Sequence, residues 1–177
     1  EQSFRLSASS EIYFQEEIAY KISKLLNKTF TDYLLKDLIH IHAGIGQISL
    51  LLAPNFESIV AIEKNGSEAD DFIFNLDSFD GIDIFEASTF QVLPTLSNPS
   101  SAILISPKDN GIDRFDLDAI LKYQPPMLAY LSQNLSTLGR DAKRITEKGY
   151  ELLNISPIDN SPHSSKIESL SFWVPLK

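Results

Sequence analysis

Cysteine is absent from the 177 residues. This excludes disulfides, thiolate metal sites and any mechanism that runs through a cysteine nucleophile of this chain. Methionine occurs once, at Met127, and the chain opens on Glu1, so it reads as a fragment of a longer protein. No run of about 18 apolar residues exists, so no membrane-spanning helix is expected. Glu1 to Glu11 lack a basic segment followed by an apolar one, so no secretory signal is visible and an intracellular, cytoplasmic location is expected. Basic residues are scarce, 15 against 24 acids, for a net charge of −9. Such a domain is a poor general binder of nucleic acid. The acidity is concentrated: from Glu57 to Glu86 nine acids face one base, Lys64. The plain reading is a solvated acidic face. The remainder is nearly neutral and leaves a flank that can meet a polyanion.

Hydrophobic residues make up 43% of the chain, enough for one domain with a real core. Tyr13 to Asn27 places Ile18, Ile22, Leu25 and Leu26 at helical spacing. Asp37 to Ala43 reads as a strand, Gln47 to Ala53 as a helix, Ser58 to Glu63 as a strand and Glu68 to Leu76 as a helix. Strands follow at Ile82 to Phe85, Ser101 to Ile105 and Met127 to Ser132, with helices at Phe115 to Leu121 and Leu135 to Lys148, the last stopped by Gly149. Tyr150 to Ile158 and Ile167 to Val174 close the chain as strands without a helix between them. The expectation is an α/β fold: a seven-stranded, mostly parallel sheet covered on both faces, with an antiparallel edge hairpin. Residues 1–30 form an opening helix region and residues 31–177 the core. Pro94 to Ser101 and Ser156 to Ser165 read as loops. Asn-x-Ser/Thr sequons such as those at Asn27, Asn65 and Asn134 read as chance.

The first strand runs into the turn His42-Ala43-Gly44-Ile45-Gly46, and a helix follows. Glycines there let a ligand approach the backbone, though tight strand-to-helix turns use glycine in any case. Glu63 ends the second strand 17 residues after Gly46, where a carboxylate can accept both hydroxyls of a ribose. The third glycine of the dinucleotide fingerprint is replaced by Ser49. This disfavours a nicotinamide cofactor and leaves S-adenosylmethionine. The ligand crevice is expected at the C-terminal ends of the first two strands, beside Gly44 and Glu63. His40 and His42 lie two apart and would share a strand face. A zinc site would need two more ligands, so no metal is expected.

The second half carries a family pattern. Tyr130 to Asp141 (YLSQNLSTLGRD) resembles the "YVSCNPxTLARD" segment of RNA uracil-C5 methyltransferases. Gly149-Tyr150 with Pro157-Ile158-Asp159 is similar to their "GY…DxFP", and Pro162 to Glu168 to their "PxTxHVE". Tyr13-Phe14-Gln15 resembles "FFQ", and Ala43 to Gly46 resembles "CGxG". The similarity runs over essentially the whole chain and matches that family's C-terminal catalytic domain. It implies a Rossmann-like, class I S-adenosylmethionine-dependent methyltransferase fold. It also implies RNA contact through N-terminal parts not present in this chain, and no membrane.

The departures are chemical. The family's cysteine, which adds to uracil C6, falls on Gln133, and an amide does not perform that addition. The family's "DPPRxG" becomes Ser106-Pro107-Lys108-Asp109-Asn110-Gly111, so its uracil-holding acid is Ser106 and its arginine is Asp109. The acid of the first strand falls on His40, and the acid near adenine on Ser88. Glu168 matches the family's proton-abstracting base; its plain alternative is an ordinary acid beside a strand. The cofactor-binding positions implied are Gln15, Gly44, Gly46, Glu63, Ser88 and Ser106, and Asn75, Gly111, Arg140 and Asp141 also match. Asn134 reads as a helix cap. Arg140 and Asp141, one step apart, should diverge and act as structural ties. Lys143 and the row Arg140, Arg144, Lys148 form a basic stripe, either solvated or a phosphate contact. Two functions follow. One is a degenerate domain that binds S-adenosylmethionine weakly and serves as a structural or protein-binding module. The other is an active methyltransferase for an N or O target, which needs no cysteine.

Overall fold

The computed structural model describes residues 4–96, 100–164 and 166–176. In chain order the elements are α1 (Glu16–Asp32), β1 (Asp37–Ile41), α2 (Gln47–Leu52), β2 (Ser58–Glu63), α3 (Gly66–Leu76), β3 (Ile82–Glu86) and α4 (Thr89–Val92). Then come β4 (Ala102–Ile105), α5 (Arg114–Tyr123), β5 (Leu128–Ser132), α6 (Leu135–Glu147), β6 (Tyr150–Ile158) and β7 (Glu168–Pro175). The strands form one sheet in the order β3-β2-β1-β4-β5-β7-β6. β1 to β5 are parallel. β7 pairs antiparallel with β5 and with the edge strand β6. The order reverses between β1 and β4, and a crevice opens at the carboxyl ends of strands at such a point.

Strand alternation divides the core. Leu38 and Leu104 face Phe30 of α1 and Ile48 of α2. Ile39 and Ile103 face Leu117 of α5 and Leu138 of α6. With both faces covered, the central strands bury nearly every residue, which explains why apolar side chains dominate them.

The expected architecture holds, and β2 and β6 have the expected bounds. α1 starts three residues later than its periodicity suggests. Tyr13 and Phe14 are held outside the helix, because Asn160 Nδ2 donates to Tyr13 O at 2.8 Å and Gln47 Nε2 to Phe14 O at 2.7 Å. The helix runs on to Asp32, past residue 30, because Phe30 extends its buried stripe of Ala19, Ile22 and Leu26. The single turn α4 was not expected. Where the strand and loop readings overlap, at Ser156 to Ile158, the strand holds; Pro157 is tolerated there because an edge strand can lack one donor. Residues 97–99 of the Pro94 to Ser101 loop and Ser165 lie outside the described residues. Among the described residues no helix is long and apolar enough to cross a membrane.

Candidate functional site

The turn after β1 is built on left-handed backbone. Gly46 has φ +86°, and a β-carbon there would lie 2.3 Å from Leu76 Cδ1 and 2.9 Å from Phe72 Cδ2. Only glycine lets α2 begin against α3. Asn75 Nδ2 donates to Ile45 O at 2.9 Å and fixes the same turn. Glu63, at the end of β2, is 5% exposed. It accepts from Gly44 N at 2.9 Å, Lys64 N at 2.7 Å and Asn65 N at 3.0 Å. Gly44 and Glu63 therefore meet at the crevice, as their positions in the sequence suggest.

His40 points from β1 toward α2 and is buried. Its Nδ1 lies 2.7 Å from Ser49 Oγ and its Nε2 lies 2.9 Å from Ser106 Oγ. Burial pushes its pKa down to about 3, so the ring is neutral near pH 7 and bridges the two hydroxyls. Ser106 thus does not stand in as a free polar anchor; it is tied to the histidine that replaces the first-strand acid. His42 lies just beyond β1 with φ 56° rather than on the strand, yet it borders a small void of about 30 Å³ together with His40, Ser106 and Gln133. Its pKa is lowered, chiefly by burial. Among the described residues no three His, Asp or Glu side chains gather to hold a metal ion.

Beside this turn is a cavity of about 190 Å³ whose wall includes His42, Gly44, Glu63, Glu68, Ser106 and Lys108. Glu68 and Lys108 escaped the sequence reading. Lys108 Nζ lies 3.1 Å from Glu68 Oε1 and 3.5 Å from Glu11 Oε2. It also sits 5.5 Å from the centre of the Tyr13 ring, whose hydroxyl donates to Glu68 Oε1 at 3.3 Å. Burial raises the Glu68 pKa; Lys108 opposes the rise and Glu63 reinforces it. Asp116 was missed as well. Fully buried, it accepts from Lys64 Nζ at 2.6 Å and Phe90 N at 3.1 Å. A signal existed for both acids: Glu68 shares a four-residue stripe with buried Phe72 and Leu76, and Asp116 shares one with buried Ile120.

The remaining sequence candidates divide. Gln133 follows β5 and reaches the void. The β5–β7 pairing ends at Ser132 with Ser169, the chain neighbours of Gln133 and Glu168. Glu168 is 8% exposed; Oε1 accepts from Asn160 Nδ2 at 3.3 Å, and burial raises its pKa. Gln15 does not line the cavity. Its Nε2 donates to Asn160 O at 3.3 Å, so it ties the N-terminal segment to the β6–β7 connection. Ser88 N-caps α4 and is also absent from the cavity wall. Asn134 caps α6 through Ser136 N at 2.9 Å. Arg140 and Asp141 do not diverge. The long arginine folds back so that Nε lies 2.8 Å from Asp141 Oδ1. Asp141 also accepts from Tyr130 OH at 2.7 Å and Ile112 N at 3.2 Å. Both residues are structural ties, and they leave Gly111 no room for a side chain: a β-carbon would lie 2.7 Å from Arg140 Nη2. In the basic stripe, Arg144 lies 3.7 Å from Asp118.

No protein-family profile matches the chain. It is 27% identical over 174 residues to an uncharacterized RNA methyltransferase of Thermosynechococcus vestitus, covering 94% of this chain and 38% of that protein. It is 28% identical over 137 residues to the 23S rRNA (uracil(1939)-C(5))-methyltransferase of a Marinomonas species, covering 75% and 31%. Its fold matches the crystal structure of the Pyrococcus abyssi tRNA (uracil-54, C5)-methyltransferase in complex with S-adenosyl-L-homocysteine, with a TM-score of 0.79 at 16% identity. That match covers 97% of this chain and 42% of the other. The chain therefore has a Rossmann-like methyltransferase fold and is an RNA-methyltransferase-like domain. It spans about a third of the length of these curated relatives.

Proposed function

We propose that this RNA-methyltransferase-like domain has lost uracil-C5 chemistry, keeps weak S-adenosylmethionine binding and serves as a structural or protein-interaction module. Contact with RNA falls to other parts of a longer protein. The observation that carries this reading is Gln133, bordering the void beside His40 and Ser106 where the resemblance expects the nucleophilic cysteine, in a chain with no cysteine. Methylation at uracil C5 requires a nucleophile at C6 to make C5 electron-rich, and a carboxamide does not supply one. The neighbourhood supports the same reading. Neutral His40 engages Ser106, so the position expected to hold the base offers a shared hydroxyl instead of a carboxylate. A histidine with a pKa of about 3 is also a poor proton acceptor near neutral pH.

The crevice residues fit S-adenosylmethionine in part. Glu63 would face the ribose, and the Gly44 to Gly46 turn would face the rest of the ligand, which supplies a sulfonium methyl group when bound. Three backbone donors already engage Glu63. Ser88 is away from the cavity wall, and the cavity of about 190 Å³ lies below the roughly 300–1,000 Å³ usual for ligand pockets. Losing two polar partners weakens binding by about thirtyfold or more. Titration with S-adenosylhomocysteine tests this part. The expected dissociation constant is about micromolar or weaker, and Glu63→Ala abolishes binding. Nanomolar affinity, or no effect of Glu63→Ala, would refute it. A methyl-transfer assay on uracil-containing RNA tests the loss of chemistry.

A further inference from the structure

We infer that β6 is a self-pairing edge: a second copy of this chain adds its β6 antiparallel to the first about a twofold axis, and the two sheets become one. This pairing depends on neither cofactor binding nor methyl transfer.

The sheet ends in two unlike edges, β3 and β6. The acids from Glu57 to Glu86 lie on and around β2, α3 and β3, so two copies meeting at β3 would repel. β6 lies at the far end of the sheet and carries one charge, Glu151, among its 9 residues. An edge strand presents unpaired backbone N–H and C=O groups, and proteins blunt such edges with charge or proline. Here Pro157 blunts only one end. Leu152, Leu153 and Ile155 are 46%, 44% and 45% exposed, an apolar row on a strand that can accept another.

The strand fits its own copy. A bulge between Leu152 and Asn154 interrupts the pairing with β7; Leu152 pairs with Trp173, and Ile155 with Ser171. Trp173 and Ser171 are two apart, so the bulge brings Leu152 and Ile155 onto one face of the sheet. In an antiparallel pair about a twofold axis through the bulge, Leu152 lies opposite Ile155 of the second copy, and Ile155 opposite its Leu152. The same register sets Tyr150 opposite Pro157, and just beyond the strand ends it brings Lys148 to Asp159. Both charged residues are exposed, and neither has an ion pair among the described residues. Twofold symmetry makes each contact twice. One register therefore joins apolar to apolar and base to acid.

Sedimentation velocity over a concentration series tests the pairing on the wild type, Leu152→Lys, Lys148→Glu and Asp159→Lys, with thermal melting to confirm that each variant is folded. The wild type should dimerise with a dissociation constant of about 10–100 µM. Leu152→Lys should abolish the dimer, and each charge reversal should weaken it about tenfold or more, because both symmetric contacts turn repulsive. An equimolar mixture of Lys148→Glu and Asp159→Lys should recover the wild-type affinity, since each variant supplies the charge that the other has lost. A wild type that stays monomeric at about 1 mM, a dimer that Leu152→Lys leaves intact, or a mixture that associates no better than its parts would overturn the pairing.

Discussion

Acidification should destabilise this domain through His40 in a way that one substitution isolates. The imidazole is held neutral between Ser49 and Ser106 with a pKa of about 3, against about 6.5 in the unfolded chain. A depressed folded-state pKa means that the unfolded state takes up a proton first as the pH falls. The stabilisation from neutral His40 is therefore complete above about pH 6.5 and is lost progressively from there to about pH 3. Linkage with those two values gives a loss of about 2 kcal/mol between pH 7 and pH 5, and about 3 kcal/mol by pH 4. For a domain of this size the loss to pH 5 lowers Tm by about 4–8 °C. Urea unfolding at several pH values should be run on the wild type and on His40→Gln. The glutamine keeps a donor and an acceptor near the serines but cannot titrate. His42 and the carboxylates titrate in both proteins, so the stability difference between them should shrink by about 2 kcal/mol from pH 7 to pH 5. Parallel pH profiles would refute the argument, because they would mean that His40 takes up its proton inside the fold.

Other perturbations have equally definite outcomes. Gly46→Ala combines a φ of +86° with a β-carbon 2.3 Å from Leu76 Cδ1, so it should destabilise by about 2 kcal/mol or more in chemical denaturation. Asp141→Ala strands the hydroxyl of Tyr130 and the amide of Ile112 and should remove about 3 kcal/mol; a loss within error of zero would remove Asp141 from the list of structural ties. Asn160→Ala releases Tyr13 O, Gln15 N and one Glu168 oxygen at once, and amide hydrogen exchange across residues 13–15 should rise while exchange in β1 stays unchanged.

The parallel sheet was legible because its strands announce themselves. The runs at 37–43, 58–63 and 101–105 are mostly apolar, and helical periods separate them. The meeting of Gly44 with Glu63 follows from the pairing of β1 with β2, so the crevice could be placed from the turn and the carboxylate alone. What stayed hidden depends on contacts distant in sequence. The late start of α1 is imposed by Asn160, 147 residues beyond Tyr13. Lys108 reaches Glu68 across 40 residues, and Lys64 reaches Asp116 across 52. His40 looked like a lost acid, and only the fold supplies the two serines that make it a neutral bridge. Arg140 and Asp141 show the limit of helix geometry as a guide. Their β-carbons point apart, yet the guanidinium is long enough to return to the neighbouring carboxylate.

Transfer of a labelled methyl group from S-adenosylmethionine to a uracil-containing RNA stem-loop tests the central claim most directly, run on the wild type and on Gln133→Cys. The account predicts no turnover by the wild type. It also predicts no recovery in Gln133→Cys, because Ser106 and His40 still occupy the place expected to hold the base. Methylation of uracil C5 by the unmodified chain, or full activity in the single Gln133→Cys variant, would contradict it.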